Sequence, residues 1–264
     1  MYLLIPAAGM GKRMLCDRNK LLLTLRSQPL IAWTLKAAEA SRYITWIGII
    51  SQPSDWADLK EILTFITLTK PVQLIQGGAT RQESVYNGLL ALPPEAKQVL
   101  IHDGARCLAT PDLLDRCAEA IRGTRDEGRG TRETPSTNHH LPTTKTQLIP
   151  HPLPLTPGII AAVPVKDTIK VVDESLLIQS TPERRNLWAA QTPQAFDVQK
   201  LKQCHEEGRR QGWEVTDDAA LFEKCGLPVQ IVEGEETNLK LTTPVDLAIA
   251  EFILQQRLGA RGEG

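Results

Sequence analysis

The sequence lacks an excess of charge of either sign, since its 30 Lys and Arg residues face 31 Asp and Glu residues. Proteins that bind nucleic acids usually carry a clear basic excess, so we expect no nucleic acid among the partners. A small anionic ligand is compatible with this balanced charge, because its binding needs only a local cluster of Lys and Arg. Hydrophobic residues make up 42% of 264 positions, which suffices for one sizeable α/β domain.

Cysteines are few and form no Cys-x-x-Cys pattern. The five are Cys16, Cys107, Cys117, Cys204 and Cys225. An odd count without paired spacing argues against a disulfide framework or a zinc site, and it favours a reducing compartment. No apolar run reaches the ~18 residues that a membrane span needs, and no basic leader precedes the apolar residues 2–5. We therefore expect a cytoplasmic protein with no membrane association.

Short apolar runs alternate with helical patterns along the chain. The runs suit parallel strands covered on both faces, and they lie at residues 3–7, 46–51, 72–75, 99–102, 159–165 and 229–232. Apolar residues at helical spacing predict helices near residues 30–38, 111–121 and 243–254. This alternation predicts a single Rossmann-like α/β domain over residues 1–264, with a mostly parallel sheet and helices on both faces. Ligands of such sheets bind beyond the carboxyl ends of the strands.

Residues 124–157 interrupt the alternation. They contain eight Thr and six Pro among 34 positions, with few aliphatic residues before Leu148. Such a composition buries too little apolar surface to offset the entropy of ordering, so it predicts a mobile surface insertion. The histidines inside it, His139, His140 and His151, are best interpreted as solvated, and no metal site is predicted.

A glycine-containing turn with basic residues follows the first predicted strand. Residues 6–14 read Pro-Ala-Ala-Gly-Met-Gly-Lys-Arg-Met, and Lys20 lies seven residues beyond Arg13. Glycines let backbone N–H groups approach phosphate oxygens closely, and the basic side chains would lie beside a triphosphate. The pattern is neither G-x-G-x-x-G nor a P-loop. An ordinary strand-to-helix turn is the alternative, but the flanking alanines and basic residues favour phosphate binding.

Four more motifs come later in the chain. They are Gly-Gly-Ala-Thr-Arg-Gln-Glu-Ser-Val at residues 77–85, Val-Leu-Ile-His-Asp-Gly-Ala-Arg at 99–106, two linked segments at 163–170 and 183–194, and Thr-Asn-Leu-Lys-Leu-Thr at 237–242. A carboxylate at a strand end, as Asp103 is, suits ribose hydroxyls or Mg²⁺. For both Asp103 and Ser84 the alternative role is the N-cap of a helix.

In order and spacing, these five motifs resemble those of the 2-C-methyl-D-erythritol 4-phosphate cytidylyltransferases, a family among the sugar-phosphate nucleotidyltransferases. The resemblance runs nearly end to end, apart from residues 124–157. It implies transfer of CMP from CTP to 2-C-methyl-D-erythritol 4-phosphate, giving 4-diphosphocytidyl-2-C-methyl-D-erythritol and pyrophosphate in non-mevalonate isoprenoid biosynthesis. It also implies Mg²⁺ bound mainly through the CTP phosphates, and a homodimer joined by an extended β-arm, residues 167–188.

The resemblance further implies a role for individual residues. The catalytic residues would be Arg13, Lys20, Arg184 and Lys240. The nucleotide would be bound by Ala7, Ala8, Gly9, Gly11, Gly78, Ser84, Asp103 and Gly104. The acceptor would be held by Arg106, Thr168, Arg184 and Lys240, with Arg184 acting on the partner subunit's site. Because Arg185 follows directly, the residue that holds the acceptor could be either Arg184 or Arg185.

The chain departs from the common family pattern at three positions. Ala79 and Thr237 stand where acidic residues are frequent, and Cys107 replaces a usual proline. Two alternatives stay open: a cytidylyltransferase for ribitol 5-phosphate or another polyol phosphate, and a nucleotide-binding regulator without catalysis. The first alternative would share the nucleotide-binding motifs and differ from the proposed enzyme at the acceptor-binding residues. The retained basic residues Arg13, Lys20 and Lys240 argue against the second.

Overall fold

The computed structural model describes residues 1–8, 19–126 and 156–259. Its strands are β1 (Tyr2–Pro6), β2 (Thr24–Leu25), β3 (Gln28–Pro29), β4 (Trp46–Ser51), β5 (Val72–Gln76), β6 (Gln98–Ile101), β7 (Gly158–Pro164), β8 (Val171–Val172), β9 (Ile178–Ser180), β10 (Trp188–Asp197) and β11 (Val229–Glu233). Its α-helices are α1 (Leu30–Ala40), α2 (Trp56–Phe65), α3 (Arg81–Leu90), α4 (Pro111–Asp126), α5 (Val198–Gln211), α6 (Asp218–Lys224) and α7 (Pro244–Gly259).

The main sheet has seven strands in the order β11-β7-β10-β6-β1-β4-β5. β10 runs antiparallel to its neighbours β6 and β7, and the other adjacent pairs are parallel. The predicted single α/β domain with a mostly parallel sheet is thus confirmed. Each of the six predicted strands is present with its bounds shifted by one residue at most.

The sheet is covered on both faces because its strands are apolar throughout. Along β1, Leu3 and Ile5 pack on one side with α1 and α4, whereas Leu4 packs on the other side with α3 and α5. Burial of each such side chain contributes roughly 1.5–3 kcal/mol. A third cluster joins α7 to the hairpin β2–β3 through Leu254 and Leu25.

Strand β10 was not predicted, although residues 183–194 are part of the fourth motif. Residues 191–193 lie inside β10, where its register with β7 shifts between Ala190 and Gln194. A polar stretch with a proline argues against a central strand. Here the irregularity accommodates the stretch, and the side chains of Gln191, Thr192 and Gln194 are buried with partners from neighbouring loops.

The predicted insertion at residues 124–157 lies mostly outside the described residues. At its amino end, α4 continues to Asp126, beyond the predicted boundary. At its carboxyl end, Thr156 is buried next to the start of β7.

The predicted arm, residues 167–188, contains a short hairpin of β8 and β9 that forms a two-stranded sheet of its own. Asp173 organises its turn, because its Oδ1 accepts hydrogen bonds from the backbone N–H groups of Ser175 and Leu177. Leu176, Leu177 and Ile178 at the tip are 79%, 64% and 62% exposed. The arm therefore projects from the domain with its apolar side chains uncovered in the single chain.

Candidate active site

A cavity of about 620 Å³ opens at the carboxyl ends of β1, β4, β5 and β6. This is the position where open α/β sheets bind ligands. Eight of the predicted site residues line it, namely Ala7, Ala8, Lys20, Gly78, Ser84, Asp103, Gly104 and Lys240. Residues that are distant in the sequence thus meet because four neighbouring strands end at one edge.

The other predicted site residues lie elsewhere. Arg106 lies five residues after the end of β6 on the turn that carries Asp103, and it does not line the cavity. Thr168 and Arg184 lie exposed on the arm. The Arg184 Nη1 donates to the carbonyl of Lys166 at 2.8 Å, at the base of the arm. Gly9, Gly11 and Arg13 lie outside the described residues.

The loop before α3 is organised by its own side chains. Thr80 is the N-cap of α3, with its Oγ1 accepting from the backbone N–H of Glu83. Glu83 reaches back to accept from the N–H of Ala79 at 2.8 Å, a variant of the capping box. These reciprocal bonds fix the loop before any ligand is present.

Ser84 is therefore in the first turn of α3, and it is not the N-cap. Its hydroxyl accepts from the N–H of Gly78 at 3.0 Å and donates to the carbonyl of Thr80 at 2.8 Å. The Gly78 carbonyl in turn accepts from the Gln52 side chain at 3.3 Å. The Ser84 hydroxyl thus stabilises the loop of residues 77–84 that lines the cavity. One of its two lone pairs is left to accept a hydrogen bond from a ligand.

The backbone at Ala7 is already hydrogen-bonded within the protein. Its N–H donates to the carbonyl of Ile50 at 2.7 Å, and its carbonyl accepts from the Asn19 side chain at 2.6 Å. A hydrogen-bond donor for a ligand at this strand end must therefore come from Ala8 or later. Asn19 also caps the short 3₁₀ turn that begins at Lys20, and Lys20 lines the cavity.

The Asp103 carboxylate lies between two cations. Its Oδ2 is 2.7 Å from the Lys240 Nζ, and its Oδ1 is 3.6 Å from the Arg81 Nε. Burial alone would raise the pKa of Asp103, but the charges of Arg81 and Lys240 outweigh burial and hold that pKa at about 2. Asp103 is thus ionised at neutral pH. It is not a helix N-cap, because α4 begins at Pro111, eight residues later.

Arg81 was not among the predicted site residues, although it lines the cavity. Its Nη1 lies 2.9 Å from Asp218 Oδ2, and Asp218 Oδ1 is 3.1 Å from His205 Nε2. Burial would lower the pKa of Arg81, but Asp218 and Asp103 raise it above its ordinary value. A buried chain of polar groups therefore extends from α5 through α6 to the cavity. The only signal in the sequence was the position of Arg81 inside the second motif.

Arg106 connects three segments of the chain. Its Nη1 donates to the carbonyl of Asn238 at 2.8 Å, and its Nη2 donates to the carbonyl of Ala190 at 3.3 Å. Asn238 is fully buried and donates to the carbonyl of Thr192 at 2.8 Å. The loop that carries Lys240 is thereby joined to β10 and to the turn after β6. Lys20 meets the same loop, since its Nζ lies 3.1 Å from the Leu241 carbonyl.

Comparison with known proteins identifies the family. The model of the 2-C-methyl-D-erythritol 4-phosphate cytidylyltransferase family matches residues 1–127 and 142–256. The chain belongs to this family. Enzymes of that name from Nostoc sp. and Crocosphaera subtropica are 68% and 63% identical to it over 257 residues, which is 97% of this chain and 99% of each relative.

Solved structures of such enzymes share the fold. The 4-diphosphocytidyl-2C-methyl-D-erythritol synthase of Anaerococcus prevotii superimposes with a TM-score of 0.76 at 27% identity, covering 96% of this chain and 97% of that one. The 2-C-methyl-D-erythritol 4-phosphate cytidylyltransferase of Thermus thermophilus gives 0.68 at 29% identity, covering 96% and 98%. The predicted family and its enzyme class, a CTP-dependent cytidylyltransferase, are confirmed.

The three departures from the family pattern have structural consequences of different kinds. Cys107 is buried in the cluster around α7, where it fills space with a thiol whose pKa burial raises to about 12. The Thr237 hydroxyl accepts from Arg257 Nη2 at 2.8 Å. Ala79 lines the cavity and offers no charge there, so its backbone N–H bond to Glu83 is its contribution.

Proposed function

We propose that the cavity binds CTP and that the chain transfers CMP from it to 2-C-methyl-D-erythritol 4-phosphate, the family's reaction. The observation that carries the proposal is the meeting of Lys20, Lys240 and Asp103 with the preformed Gly78–Ser84 loop in one cavity. The loop presents backbone groups and one hydroxyl to a small polar ring. A wall of this kind suits cytosine and rejects bases that leave its polar groups unpaired.

The transfer needs alignment and charge stabilisation more than proton transfer. An oxygen of the acceptor phosphate attacks the α-phosphorus of CTP in line, the P–O bond to the leaving group breaks, and pyrophosphate departs. The attacking phosphate is largely ionised at neutral pH, so no strong base is required. Lys20, together with Arg13, would stabilise the charge on the α-phosphate, while Lys240 and Arg106 would hold the acceptor phosphate.

We propose that Mg²⁺ accompanies the nucleotide and is held chiefly by its phosphates. Among residues 1–8, 19–126 and 156–259, no three His, Cys, Asp or Glu side chains come together to hold a metal ion. Of the described residues that line the cavity, Asp103 alone brings a carboxylate, which suits an ion that keeps most of its waters and binds phosphate oxygens. Bound Mg²⁺ would neutralise phosphate charge, and Asp103 would orient the ion or the ribose from one side.

We further propose a homodimer in which each arm completes the partner's acceptor site. A two-stranded hairpin is marginally stable alone and needs a surface to cover its apolar side chains. Leu176, Leu177 and Ile178 are such side chains. Arg184 lies on the same arm and does not line the cavity of its own chain. A two-fold dimer would bring Thr168 and Arg184 to the other protomer's cavity.

We also propose that the enzyme works in the cytoplasm. No helix within the described ranges is long and apolar enough to cross a membrane. The four described cysteines, at positions 107, 117, 204 and 225, are free thiols, in keeping with a reducing compartment.

Pyrophosphate release tests the proposed reaction. The purified chain is supplied with CTP, ATP or GTP, and with 2-C-methyl-D-erythritol 4-phosphate, erythritol 4-phosphate or ribitol 5-phosphate as acceptor. We expect CTP with the first acceptor to give by far the highest kcat/KM. Equal turnover with ATP would refute the cytosine pocket, and a preference for ribitol 5-phosphate would refute the acceptor.

A further inference from the structure

His102 is a buried histidine to which the proposed reaction assigns no role. It follows β6 directly, immediately before Asp103, and its side chain has no exposure to solvent. Its backbone N–H donates to the carbonyl of Leu4 at 2.9 Å, which continues the β6–β1 pairing. The ring therefore lies beneath the turn of residues 103–106, which carries two predicted ligand-binding side chains.

Both ring nitrogens of His102 have hydrogen-bond partners. Nε2 lies 3.2 Å from the carbonyl oxygen of Arg106, and Nδ1 lies 3.1 Å from the Thr192 Oγ1. A carbonyl oxygen can only accept, so Nε2 carries the hydrogen. Burial lowers the pKa of His102 to about 4, which leaves the ring neutral and Nδ1 free to accept from the Thr192 hydroxyl.

The Thr192 hydroxyl extends this arrangement to Asp103. Its Oγ1 accepts from the backbone N–H of Asp103 at 2.9 Å. The hydrogen bonds therefore run in one direction, from the Asp103 N–H to Thr192, from the Thr192 O–H to His102, and from the His102 Nε2–H to the Arg106 carbonyl. A protonated ring would carry a hydrogen on Nδ1 as well, so the Thr192 hydroxyl could no longer donate to it.

The chain of bonds ties both ends of one short turn to β10. The turn itself contains the bond from the Arg106 N–H to the Asp103 carbonyl at 2.9 Å. Without the His102–Thr192 link, the Arg106 carbonyl would lose its connection to Thr192, and His102 would no longer orient the Thr192 hydroxyl that accepts from the Asp103 N–H. A displacement of about 1 Å in a positioning group can cost ~10²-fold in rate.

We propose that His102 is a positioning residue that acts through the Thr192 hydroxyl to set the placement of Asp103 and Arg106 in the active site. The alternative is a histidine that merely fills the core. The two differ in measurable ways, since a core filler contributes to stability alone, whereas a positioning residue also changes the kinetic constants. The inference rests on the proposed function, because it needs Asp103 on the nucleotide and Arg106 on the acceptor.

Two variants of Thr192 form the first part of the test. Thr192→Val keeps the shape but removes the hydroxyl, and Thr192→Ser keeps the hydroxyl. We expect T192V to lower kcat/KM by about 10-fold to 100-fold, as outer partners of ligand-binding groups do, and T192S to stay within about 3-fold of wild type. Ser41→Ala is the control, since it removes a buried hydroxyl bonded to Asp115, and it should lower Tm without changing either KM.

His102→Asn gives a more selective change. The Asn side chain can keep an acceptor near the former Nδ1 but cannot reach the Arg106 carbonyl. We therefore expect the KM of the acceptor to rise about ten-fold while the KM of CTP stays within about two-fold. Wild-type kinetics, or a T192S variant as impaired as T192V, would overturn the inference.

A spectroscopic measurement is independent of activity and needs only the conservative T192S variant for assignment. The ring nitrogens of ¹⁵N-labelled wild-type protein are recorded by long-range ¹H–¹⁵N NMR between pH 5.5 and 8, and the His102 signals are those among the five histidines that T192S shifts. We expect a neutral Nε2–H tautomer that does not titrate in this range. An Nδ1–H tautomer or a charged ring would contradict the inference. If wild type turns over only a different acceptor, the proposed function fails, and the variants are compared on that acceptor.

Discussion

The loop of residues 77–84 and the arm of residues 167–188 both carry predicted ligand-binding residues, but they are stabilised in different ways. The loop is held by bonds to the domain and by the capping interactions of α3. The arm is held by bonds within itself, such as that of the Lys170 Nζ to the Thr181 hydroxyl, and its apolar tip is exposed. The proposed nucleotide half of the site is thus preformed in one chain, while the proposed acceptor half would depend on what covers the arm.

The largest effect is expected on the preformed half. Lys20→Ala should lower kcat by ~10²–10³ at saturating substrates, because it removes a donor to the transferring phosphate. Steady-state pyrophosphate release measures this loss. Lys60→Ala, on the exposed surface of α2, is the control and should behave as wild type. A Lys20→Ala enzyme with changed KM values and unchanged kcat would show that Lys20 acts on binding only.

The next effect concerns the stability of the preformed half. Burial holds the pKa of His102 at about 4, below its usual value of about 6.5. Between these two values the unfolded chain binds more protons than the folded one, so the free energy of unfolding falls as pH decreases from 6.5 to 4. The loss from this group amounts to roughly 3 kcal/mol at pH 4. Urea unfolding of wild type and His102→Gln across this range measures it, and an equally steep loss in the variant would contradict the assignment.

A smaller effect is expected from the loop hydroxyl. Ser84→Ala leaves the Gly78 N–H without its partner, at a cost of about 1–3 kcal/mol in a buried setting. We expect the KM of CTP to rise about ten-fold or more, with the acceptor KM nearly unchanged. Ser54→Ala, at an exposed position outside the cavity, is the control. A rise confined to the acceptor KM would contradict the prediction that Ser84 binds the nucleotide.

The same contrast explains how far the sequence could predict the structure. Apolar runs predicted six strands because both faces of the sheet are covered, and the carboxyl ends of those strands predicted the edge at which the cavity opens. β10 was not predicted because Gln191, Thr192 and Pro193 are untypical of a central strand. Hydrogen bonds to residues distant in the sequence stabilise the polar side chains there.

Arg81 and His102 were missed for a related reason. The role of each depends on partners far along the chain, Asp218 for Arg81 and Thr192 for His102. A single charged or polar residue gives no local signal of such a partnership. The relation of the arm to a second chain likewise depends on contacts between protomers, which the pattern of one sequence does not contain.

Mixing of two inactive chains tests the contrast between the halves most directly. Arg184→Ala and Lys20→Ala chains are tagged differently, allowed to exchange subunits, and the mixed dimer is isolated by both tags. If the arm serves the partner's site, one site of the mixed dimer carries both defects and the other carries neither. Activity should then return towards half of the wild-type value per dimer. Mixed dimers as inactive as their parents would show that Arg184 serves its own chain or neither, and the account of a shared site would be wrong.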